Sequence, residues 1–429
     1  MPGTLRTILR RALGLACLLL ALHLSIQAQA EPIKDLQPTV ILISLDGFRY
    51  DYLSLYRPPN LNALAARGVR ARWMTPSFPS KTFPNHYTIA TGLYPQNHGI
   101  VENNIYDAGF DAVFTLSDRA EVENPRWWLG EPIWVTAEKQ GQKSASIFYP
   151  GTEGAIAGVR PTFWKTYDSK MSNSARVDTL LSWLDLPRVQ RPTFLALYFS
   201  DTDDAGHEFG PLSKETRKAT LKVDEDIGYL VRGLKAREIF SRVNIIIVSD
   251  HGMATVRRSN AILLDDLFDV NLAARIFWTR EIVSIFPKAG KENEIYQSLK
   301  RKLPPQARVY RKAELPVRFH YSQSPRIAPL VVLPAEGWIL TNREAFAEMK
   351  AKGELNRTKG GHGYDNRLPS MRAIFIAHGP AFKKGRVVAP FENIQVYNIM
   401  ARILGLKPAA NDGSFRTARA VLGSHKSLQ

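Results

Sequence analysis

Six acidic and imidazole side chains have the types and spacing that a metal centre would need. Five follow apolar runs typical of strands, and the sixth lies in a glycine-rich segment: Asp46, Asp203, His207, Asp250, His251 and His362. The carboxyl ends of parallel strands meet at one edge of an open α/β sheet, where such folds bind ligands. Carboxylates mixed with imidazoles suit zinc and similar cations. The sequence therefore predicts two metal sites at one sheet edge.

The spacing within the pairs supports this prediction. Asp203 and His207 are four residues apart, and Gly206 permits a tight bend that turns both side chains to one cation. Asp250 and His251 are adjacent, but a turn at a strand end lets both reach a metal. Taken singly, each segment is equally typical of a capping aspartate or an exposed loop histidine, and only their combination favours metal binding.

A hydroxyl nucleophile is predicted at Thr82. Pro84 suits the first turn of a helix, so Thr82 would lie at a helix N-terminus. Amide dipoles there favour phosphate and an alkoxide, and a metal would lower the pKa of the hydroxyl further. A plain helix cap is the alternative interpretation, and Ser77 and Ser80 are rival hydroxyls. His86 is expected to pack nearby rather than to bind metal.

Apolar runs alternate with amphipathic stretches along most of the chain. Strands and helices are predicted, respectively, at 40–45, 144–149, 193–199, 243–249 and 373–377, and at 60–68, 173–184, 214–235 and 393–404. This alternation predicts an α/β fold with a mainly parallel central sheet. Nearly all residues of these strands are apolar, as expected when helices flank both faces of the sheet.

Between about 254 and 360 the chain changes to short strands joined by proline-containing connections. We expect an inserted smaller α+β subdomain over this segment. The whole of 31–429 is then one catalytic domain, since 429 residues suffice for one large domain with an insertion.

Residues 1–30 have the pattern of a secretory signal peptide. A basic start precedes the apolar run 12–22, and Ala28-Gln29-Ala30 is a small-x-small cleavage site. An uncleaved anchor is the alternative, but the run is short for a membrane span. A lipoprotein signal around Cys17, the one cysteine, fits less well. The mature chain would then lack disulfides and thiolate ligands, and a periplasmic or secreted location is expected.

The net charge of +17 falls to +14 without the three arginines of the predicted signal peptide. The basic residues are dispersed and are not interleaved with aromatics, so no nucleic-acid-binding module is expected. A solvated basic surface is one interpretation, and attraction of anionic substrates or of an anionic envelope is the other. A monomer is expected, and contact with a membrane stays open.

Six short segments occur in a fixed order between about residues 40 and 404. They are Leu45-Asp46-Gly47-Phe48-Arg49, Pro79-Ser80-Lys81-Thr82-Phe83-Pro84-Asn85-His86, Thr91-Gly92-Leu93-Tyr94-Pro95-Gln96-Asn97-His98-Gly99-Ile100, Asp203-Asp204-Ala205-Gly206-His207 with Gly210-Pro211, Ser249-Asp250-His251-Gly252-Met253 and Gly361-His362-Gly363-Tyr364. Together they resemble the nucleotide pyrophosphatase/phosphodiesterase family of the alkaline phosphatase superfamily. The chain shows no counterpart of the extra domains of large animal members, so it resembles the compact bacterial type. The resemblance implies an alkaline phosphatase-like fold.

The resemblance also implies roles for individual residues. One zinc ion would be bound by Asp46, Thr82, Asp250 and His251, and a second by Asp203, His207 and His362. Asn103 would donate a hydrogen bond to a phosphoryl oxygen. A base could stack on Phe83 with Trp164 or Tyr167, although all three aromatics could equally be packing residues.

The expected activity is zinc-dependent hydrolysis of phosphodiester and pyrophosphate bonds, with nucleotides as substrates, nucleoside 5′-monophosphate as product and a phosphorylated Thr82 as intermediate. The same metal sites could instead act on choline phosphodiesters such as lysophospholipids, on phosphonoacetate or on phosphomonoesters. A neutral donor such as Asn103 favours diesters, because monoesters need extra positive groups. A non-catalytic exported protein that binds metal or anions is a further alternative.

Overall fold

The computed structural model describes residues 30–423, so the predicted signal peptide lies outside the described residues except for Ala30. None of the helices in this range is long and apolar enough to cross a membrane. The strands, numbered along the chain, are β1 (Val40–Leu45), β2 (Val69–Ala71), β3 (Met74–Thr75), β4 (Asn104–Asp107), β5 (Ala112–Thr115), β6 (Ser144–Ile147), β7 (Phe163–Lys165), β8 (Phe194–Phe199), β9 (Asn244–Val248), β10 (Ala254–Arg257), β11 (Ala261–Leu263), β12 (Ala273–Trp278), β13 (Val283–Pro287), β14 (Ala307–Arg311), β15 (Leu330–Pro334), β16 (Ile339–Thr341), β17 (Thr358–Gly361), β18 (Phe375–His378), β19 (Arg386–Val388) and β20 (Phe391–Glu392).

The helices connect these strands, and short 3-10 turns join some of them. Numbered in the same way, they are α1 (Tyr52–Leu55), α2 (Pro59–Arg67), α3 (Thr82–Thr91), α4 (Pro95–His98), α5 (Arg119–Glu123), α6 (Ile133–Lys139), α7 (Asn173–Leu184), α8 (Asp201–Phe209), α9 (Lys214–Ala236), α10 (Glu292–Lys302), α11 (Arg343–Ala351), α12 (Val396–Leu404) and α13 (Phe415–Val421).

An eight-stranded sheet forms the centre, in the order β19-β2-β18-β9-β1-β8-β6-β7. Strands β9, β1, β8, β6 and β7 run parallel to one another. β18 pairs antiparallel with both of its neighbours, and β19 pairs parallel with β2. Every residue of β1, β8 and β9 is buried. Their unbroken apolar runs therefore match a sheet that is covered on both faces, as predicted.

Two layers of helices enclose this sheet. On one face, α2, α7 and α9 contribute residues such as Leu61, Leu180 and Leu230 to one hydrophobic cluster. On the other face, α3, α6 and α12 contribute residues such as Ile89 and Trp134 to a second cluster. Each helix supplies an apolar stripe at helical spacing, so its burial against the sheet is what stabilises it in water.

A separate antiparallel sheet lies within the segment that was expected to be inserted. It has the order β12-β13-β15-β14 and packs on α10. Its buried residues, among them Ile285, Leu299 and Val332, form a cluster distinct from those of the central sheet. The antiparallel pair of β10 and β17 joins the two ends of this segment beside the central sheet.

The structure differs from the predicted elements in places where local sequence does not decide the outcome. Asp203 and His207 were expected to face one cation through a bend at Gly206, but they lie on the continuous helix α8. A spacing of four residues puts both side chains on the same face of a helix, so the helix achieves what the bend was expected to do. Strands β2 and β19 were not predicted, because they are short and only partly apolar.

Candidate active site

The candidate metal-binding residues converge because the strands that precede them are neighbours. β9, β1 and β8 are adjacent and parallel, so their carboxyl ends share one edge. Asp46 follows β1, Asp250 follows β9, and Asp203 lies in the first turn of α8 after β8. Gly47 has a φ of +65°, and a Cβ there would lie 2.9 Å from the Asp203 Cα. Only glycine allows the end of β1 to approach α8 so closely.

Two groups of three side chains form at this edge, each with potential ligand atoms within 4.8 Å of one another. They are Asp46 with Asp250 and His251, and Asp203 with His207 and His362. The His251 and His362 rings stack with their centroids 3.6 Å apart, so the two groups are adjacent. All six residues that were predicted as metal ligands from the sequence are therefore brought together.

Hydrogen bonds orient the three histidines toward the centres of their groups. The Nδ1 atoms of His207, His251 and His362 lie 3.1, 2.8 and 2.8 Å from main-chain carbonyl oxygens. A carbonyl oxygen can only accept, so each Nδ1 carries the proton and each Nε2 presents a lone pair. The Nε2 atoms of His207 and His362 are only 3.0 Å apart. Two facing lone pairs fit a shared cation, and this arrangement is characteristic of metal-ligating histidines.

The carboxylates also fit a cation. Within residues 30–423, the buried oxygens Asp46 Oδ1, Asp203 Oδ1 and Asp250 Oδ2 accept no hydrogen bond. Burial, and then the charges of Asp250 and Asp203, raise the pKa of Asp46, and burial with the charge of Asp203 raises the pKa of Asp250. Three buried, crowded carboxylates need positive charge between them. The donor set of oxygen and imidazole nitrogen therefore fits two zinc-like ions.

Thr82 lies at the start of a helix beside the first group. α3 begins at Thr82, and Pro84 occupies its first turn, as the sequence indicated. Thr82 Oγ1 is 3.4 Å from His251 Nε2. The hydroxyl thus faces the same space as the ligand atoms of His251, at a helix end whose free amides attract anions.

His86, one helical turn after Thr82, packs behind the site as predicted. Its Nδ1 lies 2.8 Å from the Thr82 carbonyl oxygen and its Nε2 lies 2.7 Å from Ser44 Oγ. Burial lowers the pKa of His86 to about 3. The neutral imidazole therefore connects the start of α3 to β1.

An aromatic cavity of about 240 Å³ opens beside Thr82. Its lining residues come from both metal-binding groups, from the loop after β6 and from neighbouring segments: Asp46, Thr82, Phe83, Leu116, Arg119, Val122, Phe148, Pro150, Gly151, Glu153, Tyr167, Tyr198 and Asp203. Phe83 and Tyr167 are thus both in the cavity. Trp164 is not among its lining residues, because it lies on the edge strand β7, where the Arg160 guanidinium stacks on its ring at 5.3 Å.

Asn103 lies next to this cavity, with its amide oriented. Its Oδ1 accepts a hydrogen bond from the Phe83 N–H at 3.0 Å. The side-chain NH₂ is thereby left as the donor end of the amide. The buried Glu102 carboxylate accepts from the Asn103 N–H at 2.9 Å and holds the main chain in place.

Several residues of the site were not identified from the sequence. The Tyr198 hydroxyl donates to Asp46 Oδ2 at 2.6 Å. Glu153 pairs with Arg119 in the cavity wall and accepts from the Tyr167 N–H at 3.2 Å. Tyr198 lies within a strand that reads only as core. The one available signal for Glu153 was its place in the Pro-Gly loop after β6, at the same sheet edge as the metal-binding residues.

The comparisons with known proteins cover most of the chain. The family model described as type I phosphodiesterase / nucleotide pyrophosphatase matches residues 40–365. Member 3 of the ectonucleotide pyrophosphatase/phosphodiesterase family from Rattus norvegicus is 41% identical over 387 residues, which cover 88% of this chain and 43% of the rat protein. An uncharacterized pyrophosphatase/phosphodiesterase from Schizosaccharomyces pombe is 43% identical over 89% of this chain and 80% of its own length. The chain thus spans under half of the mammalian relative.

Solved structures give the same result. Murine ectonucleotide pyrophosphatase / phosphodiesterase 5 has a TM-score of 0.84 and 33% identity, and the match covers 90% of this chain and all of the murine one. An inactive threonine-to-alanine variant of that protein, solved in complex with AMP, matches at 32% identity with the same coverage and TM-score. The predicted alkaline phosphatase-like α/β fold is therefore confirmed. On sequence and structure together, this chain belongs to the type I phosphodiesterase / nucleotide pyrophosphatase family of enzymes.

Proposed function

We propose that this protein hydrolyses phosphodiester and pyrophosphate bonds of nucleotides and releases nucleoside 5′-monophosphates, with two zinc ions and Thr82 as nucleophile. One observation carries the proposal. A hydroxyl at the first turn of a helix lies 3.4 Å from His251 Nε2, beside two groups of three oriented ligands each. The names of the relatives and the AMP complex of the murine protein support a nucleotide as substrate.

The proposed ligands are those that the sequence indicated: Asp46, Thr82, Asp250 and His251 for one ion, and Asp203, His207 and His362 for the other. Two zinc ions at these positions would supply positive charge to stabilise an in-line displacement at phosphorus. Buried, neutral imidazoles are suited to this role because burial, together with the charges of His251 and Lys81, lowers the pKa of His362.

Thr82 would perform the displacement in two steps. In the first, Thr82 Oγ1 loses its proton to solvent and forms a bond to phosphorus, while the bond from phosphorus to the leaving oxygen breaks and the leaving group keeps the electron pair. In the second, water attacks the phosphothreonine, the nucleoside monophosphate departs, and Thr82 regains a proton. The net reaction consumes one water. The free amides at the start of α3 favour the charge on phosphate throughout.

Asn103 and the aromatic cavity would position the substrate. The NH₂ of Asn103 is free to donate to a non-bridging phosphoryl oxygen, because its Oδ1 is held by the Phe83 N–H. Phe83 and Tyr167 line the cavity beside Thr82 and would receive the base. The described side chains give no corresponding support for a base on Trp164, which remains a prediction from the sequence alone.

Two further expectations stay part of this proposal. We propose that residues 31–429 form one catalytic domain with a subdomain inserted at about 254–360, and the distinct core of the four-stranded sheet supports this. We also propose that the protein is exported to the periplasm or secreted after cleavage of residues 1–30. The relatives are named as ectoenzymes and venom enzymes, which supports export.

The first experiment measures initial rates of the zinc-loaded protein on three nitrophenyl esters: those of thymidine 5′-monophosphate, phosphorylcholine and phosphate. The proposal expects the thymidine ester to be hydrolysed fastest. Dominant hydrolysis of the choline ester would assign the same metal sites to lipid headgroups, and no hydrolysis of any ester with two zinc ions bound would refute catalysis.

A Thr82→Ala variant tests the nucleophile. It is expected to bind the same amount of zinc as the wild type and to lose nearly all turnover of the thymidine ester, because no other oxygen takes the place of Oγ1. Thr82→Ser is the matched control and should retain part of the activity. Full activity in a folded, zinc-loaded Thr82→Ala protein would refute the assignment.

A further inference from the structure

A second cavity, of about 260 Å³, begins at His207 and extends away from the aromatic cavity. It is bounded by α8, by the β10–β17 pair and by the turn between β12 and β13, and its lining residues are Asp204, His207, Glu208, Val256, Arg258, Arg280, Glu281, Ile339, Lys359 and Gly360. The two cavities share no lining residue. The metal-binding groups therefore have a separate space on each side, one aromatic and the other rich in charge.

The acidic residues of this second cavity are already compensated. Lys81 Nζ lies 2.8 Å from Glu281 Oε2 in a buried ion pair. Lys359 Nζ lies 2.7 Å from Glu208 Oε1. Asp204 Oδ2 accepts from the Ser200 hydroxyl at 2.9 Å, and burial raises its pKa. An anion entering the cavity would thus meet little net repulsion from these carboxylates.

The arginines are not compensated to the same degree. Arg258 pairs with Glu354, whereas no carboxylate in the part of the chain that the structure describes forms an ion pair with Arg280. The charge of Arg280 also acts on Arg258, where burial and then this charge lower the pKa. Two arginines that repel each other beside the metal-binding groups create a positive potential that an anion would relieve.

The backbone holds Arg280 at this place in an unusual conformation. Arg280 has a φ of +66°, the left-handed region that non-glycine residues rarely adopt. Its carbonyl oxygen accepts from the Leu340 N–H at 2.8 Å, and the Thr279 hydroxyl donates to the Ile282 carbonyl at 2.6 Å. These bonds fix the tip of the β12–β13 hairpin, and residues kept in such conformations concentrate at functional sites.

We propose that this cavity binds an anionic leaving group, and that Arg280, assisted by Arg258, makes the enzyme prefer nucleotides whose leaving group carries further phosphate. The inference rests on the proposed function. In-line attack sends the leaving group away from Thr82, past the group that contains His207, and the cavity begins at that residue. The preferred substrates are thus nucleoside polyphosphates rather than esters of neutral alcohols.

The test compares two substrates that give the same product, thymidine 5′-monophosphate: thymidine 5′-triphosphate, which releases pyrophosphate, and the nitrophenyl ester, which releases nitrophenol. Arg280→Gln is expected to lower kcat/KM for the triphosphate by about 10-fold or more, the usual effect of losing a charged hydrogen bond. The nitrophenyl ester should change by less than about two-fold. Arg280→Lys should restore part of the loss.

Arg72→Gln is the matched control, since Arg72 is exposed in a different cavity with Tyr50 and Arg70. It removes the same charge and should change neither substrate. As a second readout, pyrophosphate should inhibit hydrolysis of the nitrophenyl ester at constant ionic strength, with a Ki that rises in Arg280→Gln. Thermal unfolding of each variant checks its fold.

The outcomes separate the two proposals. If the wild type hydrolyses the nitrophenyl ester and Arg280→Gln affects both substrates equally, or neither, the leaving-group site is refuted while the proposed function stands. If the zinc-loaded wild type hydrolyses neither substrate, the proposed function fails and this inference fails with it.

Discussion

At the scale of single residues, orientation of the side chain distinguishes the site from an ordinary polar cluster. The three histidines donate Nδ1–H to main-chain carbonyls, and Asn103 accepts the Phe83 N–H. Each bond leaves one chosen atom free to face the reacting centre. Such preorganised groups stabilise a transition state without further rearrangement.

Asn103→Ala should therefore lower kcat more than it raises KM. A free NH₂ that donates to the phosphoryl oxygen acts most strongly as charge develops, and losing one such donor reduces kcat by about 100-fold or more. Asn103→Asp keeps the oxygen that accepts from Phe83 but removes the donor, so it should be equally impaired. Steady-state kinetics on the thymidine ester measure both. A near-normal kcat in Asn103→Asp would contradict the donor role.

His98 should make the protein less stable as the pH falls. Ile100 N–H donates to its Nδ1 at 3.2 Å, so the neutral ring carries its proton on Nε2, near Thr88 Oγ1 and the Pro84 carbonyl. Burial lowers the pKa of His98 to about 3. The unfolded chain binds this proton below about pH 6.5 while the folded protein does not, so stability is present above that pH and is lost toward pH 3.

The size of this loss is about 1.4 kcal/mol per pH unit below pH 6.5. Denaturant unfolding at pH 7.5, 5.5 and 4.5 measures it, with His98→Gln as the control that cannot titrate. The wild type should lose stability more steeply than the variant, and the difference removes the contributions of all other groups, including any loss of metal. Parallel curves would show that His98 is not the source.

At the scale of elements, one ion pair connects the antiparallel sheet to the nucleophile helix. Lys81, the residue before α3, pairs at 2.8 Å with Glu281 after the turn of the β12–β13 hairpin, and both side chains are 8% exposed. Lys81 Nζ also lies 3.4 Å from the Thr279 carbonyl oxygen. The position of this hairpin beside the site thus depends on a single pair of buried charges.

Glu281→Gln should reduce the free energy of unfolding by about 3–5 kcal/mol, because it leaves the Lys81 charge buried without a partner. A double variant, Lys81→Met with Glu281→Gln, removes both charges and should be less destabilised than the sum of the two single variants. Chemical denaturation of all four proteins gives the coupling energy. Strict additivity would mean that the pair contributes nothing beyond its separate side chains.

The elements also show what could be predicted from the sequence. β1 was predicted with its observed bounds, and β8 and β9 to within a residue at each end, because fully buried parallel strands are written as unbroken apolar runs. The convergence of Asp46, Asp203 and Asp250 follows from these strands, since their carboxyl ends share an edge. Local pattern alone identified this much of the site.

What escaped prediction depends on contacts between distant segments. The helix at Asp201–Phe209 replaced the expected bend, because Gly206 packs against Met253 within a helix rather than at a turn. Glu281, Arg280 and Arg258 come to the site through a hairpin and a strand end that carry no chemical motif. Their role depends on the packing of the four-stranded sheet, which composition and spacing do not reveal.

At the scale of the whole molecule, the proposed zinc ions connect segments that are far apart in the chain. The ligands follow β1, begin α3, lie on α8, follow β9 and follow β17. Bound ions would also neutralise the three buried carboxylates. Metal binding should therefore stabilise the entire fold and not only the site.

Removing the metal should lower the melting temperature by several degrees or more, because a ligand bound to the folded state alone stabilises it by about 4 kcal/mol at 1,000 times its Kd. Calorimetry before and after chelation measures this, and added zinc should restore the value. His362→Ala should show a smaller shift on chelation than the wild type. An unchanged melting temperature after verified metal removal would contradict the proposed centre.

The separate core of the four-stranded sheet has a consequence for how specificity changes during evolution. Its buried residues form their own cluster, and the β12–β13 hairpin carries Arg280 to the rim of the second cavity. Substitutions at that tip would exchange one class of leaving group for another and leave the six metal-binding side chains in place. Lineages with the same reaction centre could thus acquire different substrates by varying one hairpin, and swapping that hairpin between relatives is the corresponding route for engineering.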